Sequence, residues 1–169
     1  RDQQAILVNN LLTLLWLGQV AYLALHVSLA RASAQPDPPN LATTFDQSKE
    51  RIEASALNYP DFALFDLDPY IYRRDEVTGA EPELNRRAFM ETARVAGWLN
   101  ELLDSASMSS FVSTSGATGL HIFVPVVRQY DYDTIREVAQ TMGAFLLRAH
   151  RREVTTEWSV ERRTGMVFF

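Results

Sequence analysis

The chain has 169 residues, 47% of them apolar and 22% charged, which suits one globular domain with a sizeable core rather than two. It has no cysteine, so a disulfide framework, a thiolate metal site and a thiol nucleophile are all excluded, and an intracellular setting is implied. A net charge of −5 argues against coating nucleic acid by bulk charge, though not against a local basic groove.

Residues 11–30 carry only His26 as a possible charge. By length and hydropathy the stretch could span a membrane. Asn9, Asn10 and His26 would be expensive in lipid, however, and Gly18-Gln19 divides it. The reading is a helix over about 4–17, a break at Gly18, and a strand over 22–28, all buried against the sheet. On such a strand Tyr22, Ala24, His26 and Ser28 share one face, which places His26 on a cleft wall, and Leu23, Leu25 and Val27 go to the core. The start also lacks the charged region and cleavage pattern of a signal peptide. Residues 33–58 open on Pro36, Pro38 and Pro39 and continue through Lys49, Glu50, Arg51 and Glu53, a surface connection with one helical turn.

Residues 61–70 read Asp-Phe-Ala-Leu-Phe-Asp-Leu-Asp-Pro-Tyr. As a strand they send Phe62, Leu64, Asp66 and Asp68 to one face and Ala63, Phe65 and Leu67 to the other. Apolar neighbours on both sides predict a buried strand with its carboxylates at the tip, and Pro69, lacking an N–H, is expected to end the ladder. A loop over 73–81 follows. Leu84, Ala88, Val95, Leu99 and Leu102 then keep helical spacing over 83–103.

A short strand is predicted over 111–113 and a longer one over 120–127. A second helix starts near 131–133, with Thr134 and Glu137 as a capping box and Ile135, Val138, Met142, Phe145 and Ala149 along one side. Strands over 154–160 and 166–169 close the chain with hairpin-like spacing. The sum is an α/β (α+β) domain: one mixed central sheet with flanking helices over residues 1–169.

Two constellations carry chemistry. Asp66 and Asp68 stand two strand residues apart, roughly 7 Å between Cα atoms, so both can reach one divalent ion. Solvated carboxylates on an edge strand are the plain alternative. Of the chemistries that use such a pair, one is phosphoryl or nucleotidyl transfer on bound Mg²⁺ or Mn²⁺. The other is a phosphohydrolase with an Asp nucleophile. That enzyme would need Gly-Thr after the triplet and a lysine downstream; here Pro69-Tyr70 follows, and Lys49 lies upstream. The second constellation is Ser113-Thr114-Ser115-Gly116-Ala117-Thr118-Gly119-Leu120-His121, whose amides and hydroxyls can cradle an anion. It lacks the Gly-Lys-Ser/Thr ending of a P-loop and precedes a strand, not a helix. A glycine-rich turn is its structural reading, and His121 could donate to the anion or simply pack.

Together, Phe-Asp-Leu-Asp-Pro, then Thr-Ser-Gly-Ala-Thr-Gly-Leu-His-Ile-Phe-Val-Pro, then Val-Thr-Thr-Glu-Trp-Ser-Val-Glu-Arg-Arg-Thr-Gly-Met-Val-Phe-Phe resemble the polymerase domain of bacterial DNA ligase D. That domain belongs to the archaeo-eukaryotic primase superfamily. The likeness runs from about Leu14 to Phe169. The branch of stand-alone primase-polymerases fits best, through Asn-Tyr-Pro-Asp-Phe and Glu-Pro-Glu-Leu-Asn-Arg-Arg-Ala-Phe.

The resemblance implies a primase-polymerase that adds nucleotides to DNA 3′ ends during end joining of double-strand breaks. Asp66 and Asp68 would be the catalytic ligands of Mn²⁺ or Mg²⁺. Ser115, Gly116, Gly119 and His121 would hold the incoming nucleoside triphosphate. His26 and Arg31 match a family His and Arg flanking the site, and Arg162 and Arg163 stand where the family contacts nucleotide or nucleic acid. The implied partners are DNA ends with primer and template, nucleoside triphosphates, a DNA ligase and end-binding repair proteins. The implied location is the cytoplasm of a bacterium or archaeon, at the nucleoid and off the membrane.

The sequence also departs from the family. Ala117 and Thr118 stand where a lysine is usual, Met166 replaces a second lysine, and Ala24 and Ser28 replace a Glu and a Trp. The family's third metal-binding aspartate would fall just past Phe169, and its N-terminal segment would precede Arg1, so a fragment is expected. These departures also support a non-catalytic reading, a module that only binds DNA ends or a ligase partner.

Overall fold

The structure, a computed structural model, describes residues 11–20, 28–31, 56–70, 85–116, 118–159 and 162–169. Its centre is β1 (Phe62–Tyr70), which alternates as its side chains dictate. Ala63, Phe65 and Leu67 are buried, and Phe62, Leu64, Asp66 and Asp68 point out. Around it lie β2 (Phe111–Thr114), β3 (Leu120–Pro125), β4 (Val154–Thr155) and β5 (Met166–Phe168), in the order β2-β3-β1-β5-β4. β1 runs antiparallel to β3 and β5, β2 antiparallel to β3, and β4 parallel to β5. The expected mixed sheet with flanking helices is therefore present.

The ladders also correct the sequence reading. Pro69 does not end β1, which continues to Tyr70. β3 pairs residues 62–67 and β5 pairs 68–70. By Pro69 the β3 side is already an open edge, where a residue without an N–H is tolerated. The strand expected over 154–160 covers only Val154 and Thr155. Beyond it the Glu157 N–H donates to Thr155 Oγ1 at 3.0 Å and the Ser159 N–H to Glu157 Oε1 at 3.2 Å, so side chains take up the donors a longer strand would pair. The last two strands are parallel, so the link between them crosses over instead of turning back as a hairpin.

Helices α2 (Arg86–Ser105) and α3 (Tyr132–Ala149) cover one face of the sheet. There Phe65, Leu67, Ile122, Val124 and Val167 meet Val95, Leu99, Leu103 and Leu146. α2 starts where the Asn85 side chain accepts from the Ala88 N–H, and it buries Ala88, Thr92, Val95, Leu99 and Leu103. Leu103, not Leu102, completes the stripe. α3 is capped by Asp131, whose carboxylate accepts from the Thr134 N–H and is held below the usual range by the Thr134 side chain and backbone. The Thr134–Glu137 capping box is thus displaced by a cap three residues earlier. The apolar side of α3 is also rotated: Ile135, Ala139, Met142 and Leu146 pack inward, while Val138 and Phe145 are exposed.

The start of the chain departs most. Helix α1 (Leu11–Gln19) has Gly18 as its next-to-last residue, so it ends within two residues of the expected break. Its apolar residues do not join the core of the sheet: Leu17 alone among the described residues of α1 is buried, and Leu11, Leu12, Leu14, Leu15 and Trp16 are exposed. The strand expected over 22–28 lies outside the described residues except for Ser28, which is not in a strand. No helix among the described residues is long and apolar enough to cross a membrane. A 3₁₀ turn (Ala56–Asn58) precedes β1, while Lys49 to Glu53, in the stretch where a helical turn was expected, lie outside the described residues.

Arg128 ties the segments before β1 together. It is buried, and its guanidinium donates to the carbonyls of Tyr59, Ala56 and Arg31. Tyr132 sits beside it. Burial pushes its phenol up, against a hydrogen bond with Ser28 that pulls the other way.

Candidate functional site

The acidic pair lies on the other face of the sheet, which no helix among the described residues covers. Asp66 lies directly across from His121 of β3, and His121 across from Ser113 of β2. Their side chains form one row, because opposed residues in antiparallel strands share a face. His121 Nε2 is 3.4 Å from Asp66 Oδ1. The imidazole is held edge-on to Phe123, which stands edge-on to Phe62. This row of rings keeps His121 turned toward Asp66, whose side chain remains 61% exposed.

The glycine stretch is the loop of the β2–β3 hairpin, closed by the Ser115 N–H donating to the Gly119 carbonyl at 3.1 Å. Gly116 has φ +94°, a left-handed backbone that disfavours any side chain. Gly119 is required for space. A Cβ there would lie 2.8 Å from the Leu67 carbonyl oxygen, 2.8 Å from Ser115 Oγ and 3.3 Å from Asp68 Oδ1. The loop thus lies against the end of β1, with the Ser115 hydroxyl and the Asp68 carboxylate around a single point. Gly119→Ala is expected to cost about 1–3 kcal/mol, because the Leu67 backbone cannot step aside. A lowered urea midpoint with unchanged slope would register this; an unshifted midpoint would mean that the loop swings clear.

β5 completes the floor. Phe168 is directly across from Asp68. The Arg163 guanidinium stands 4.7 Å from the Phe168 ring and 6.0 Å from that of Tyr70. Arg162 points elsewhere, to Glu157 at 3.5 Å. Arg31 pairs with Asp61 at 2.7 Å, and five residues of strand, roughly 16 Å, separate Asp61 from Asp66. The structure therefore brings together Asp66, Asp68, Ser115, Gly119, His121 and Arg163, and puts Arg31 at the other end of β1. His26 and Ala117 lie outside the described residues, while Thr118 is buried. The sequence reading missed Tyr70 and Phe168. Only their period-two spacing hinted at them, and it acquired meaning once β5 was paired with β1.

Asp66 and Asp68 offer hard oxygen donors on an open face, the ligand chemistry of Mg²⁺ or Mn²⁺. Among the described residues no third His, Cys, Asp or Glu joins them in a metal-sized cluster. Two carboxylates suit an ion that shares its remaining positions with water and substrate phosphate. The expectation that the carboxylates sit on a buried face is corrected: the buried face of β1 is the other one, and the acidic face lies open beside Phe62 and Leu64.

A mixed-sheet α/β domain with a strand-borne carboxylate pair against a glycine hairpin is the class these features define. The chain belongs to the family of the LigD primase-polymerase domain, whose pattern matches residues 1–169. It is 27% identical over 112 residues to the multifunctional non-homologous end joining protein LigD of Pseudomonas aeruginosa, which covers 66% of this chain and 12% of that protein. Among solved structures, the polymerase domain of Mycobacterium tuberculosis ligase D in complex with DNA shares the fold, with a TM-score of 0.63 and 24% identity over 90% of this chain and 44% of that one. The chain thus spans under half of either relative.

Proposed function

We propose that this domain is a metal-dependent nucleotidyltransferase that extends DNA 3′ ends in the joining of double-strand breaks. The observation that carries this is the convergence of Asp66, Asp68, Ser115 and His121 on one open sheet face. In the reaction the 3′ hydroxyl gives up its proton to water and its oxygen bonds to the α-phosphorus of a nucleoside triphosphate as the bond to pyrophosphate breaks. A bound Mn²⁺ or Mg²⁺ would supply neutralisation of the phosphate charge. Asp66 and Asp68 would hold the ion. Ser115 and the amides of the hairpin loop would receive the phosphates, with His121 Nε2 as a further donor. Arg163 would add positive charge beside Asp68, offsetting the chain's net negative charge locally. DNA ends, a ligase and end-binding repair proteins are the partners this reading names, in the cytoplasm of a bacterium or archaeon.

A second reading is a non-catalytic module that binds DNA ends. It is favoured by the absence of a third clustered carboxylate among the described residues. His121→Ala separates the two. On the catalytic reading it weakens nucleoside triphosphate binding in Mn²⁺ by on the order of tenfold, since a hydrogen bond to a charged group contributes about 1.5–3 kcal/mol. DNA binding should change less than about twofold, a difference too small to reflect a lost contact of that strength. Isothermal titration with a non-hydrolysable triphosphate, and anisotropy with a labelled DNA end, give the two affinities. Equal losses would make His121 structural, and no triphosphate binding by the unaltered chain would favour the module.

A further inference from the structure

Trp158 is 81% exposed, the most exposed large apolar side chain among the described residues. Its ring packs at 5.2 Å and 54° on Phe168, the residue directly across β5 from Asp68. On the same Phe168 ring lies the Arg163 guanidinium, at 4.7 Å. Arg163 forms no ion pair among the described residues, and its Nε is buried without a hydrogen-bond partner. One phenyl ring, directly across from Asp68, therefore supports both an open indole and a guanidinium that forms no ion pair among the described residues.

We infer that Trp158 and Arg163, seated on Phe168, form a subsite for one unpaired nucleotide of a DNA strand. The inference rests on the proposed function and goes further by specifying the form of the DNA. A base stacks on the free indole face while the phosphate next to it accepts from Arg163, the combination by which proteins hold single strands without reading sequence. A base within a duplex has both faces occupied by its neighbours and has none to offer Trp158. The preference is thus for a single-stranded overhang beside the reacting end. Because stacking supplies the contact, all four bases are accepted.

The test uses the whole 169-residue chain, with anisotropy of a labelled oligothymidylate and of a blunt hairpin duplex. Trp158→Ala is expected to weaken oligothymidylate binding about tenfold or more, ~1.4 kcal/mol, and blunt-duplex binding less than twofold. Trp158→Phe, which keeps a smaller ring, falls between. Arg163→Gln weakens binding and flattens its salt dependence by about one phosphate. Since Trp158 is exposed, its variants should unfold at the wild-type temperature, which circular dichroism checks. If Trp158→Ala leaves oligothymidylate affinity unchanged, or weakens both DNAs equally, the subsite is wrong even where the unaltered chain binds and extends DNA. An unaltered chain that binds neither DNA overturns both the subsite and the function it rests on.

Discussion

Asp68→Asn is expected to abolish divalent-dependent nucleotide addition while leaving the fold intact. The substitution keeps the shape of the side chain and removes the charge that would hold the ion. Phosphate-charge neutralisation by a bound metal contributes several kcal/mol to such a transition state, so the rate should drop by at least about a thousandfold. Asp66→Asn should behave alike. Neither change should lower the unfolding temperature. Both carboxylates are exposed, they repel one another, and the buried contacts of β1 are made by Ala63, Phe65 and Leu67. Mn²⁺ calorimetry and primer extension, run beside a thermal melt, separate the two effects. Extension at the wild-type rate by Asp68→Asn, or lost activity together with an early melt, would sink the assignment.

Arg128→Met is expected to be strongly destabilising, by about 3 kcal/mol, because one buried and two part-buried carbonyls lose a donor at roughly 1 kcal/mol or more each. The side chain is only 2% exposed, and its guanidinium donates to three carbonyls at 2.5 to 2.8 Å. Removing it leaves the oxygens of Arg31, Ala56 and Tyr59 without this donor, the bond to Ala56 being buried and the other two part-buried. These residues precede β1, so the loss also unties the start of the central strand. Lysine is a poor substitute, because one ammonium cannot reproduce the planar fork that spans three acceptors. Urea unfolding of Arg128→Met and Arg128→Lys measures both. A loss below about 1 kcal/mol for the methionine variant would show that the clamp adds little, since leaving even one buried acceptor unsatisfied costs about 1–3 kcal/mol.

Much of the architecture was legible because it is local. The alternation in Phe62 to Asp68 depends only on the two-residue period of a strand, and burial follows it residue by residue. α2 was readable from its apolar spacing for the same reason. Local signals failed where tertiary packing overruled them. α1 is as apolar as a core helix yet exposes most of its leucines. On α3 the sheet selected Leu146 and left Phe145 outside, although both residues fit an apolar face.

The carboxylate pair on one face of a strand, the glycine loop between two strands and the resemblance they carry are properties of short stretches of chain. Which face of β1 lies open, and what gathers on it, depends instead on long-range packing. His121 meets Asp66 through the β1–β3 register, across more than fifty residues of chain. Phe168 meets Asp68 through the β1–β5 register, across about a hundred. A slip of one residue in either ladder would send these partners to the helix-covered side. Register is set by the whole buried face at once, with Leu67 on Leu120 and Phe65 on Ile122 beneath the two helices, and no stretch of sequence read alone contains it.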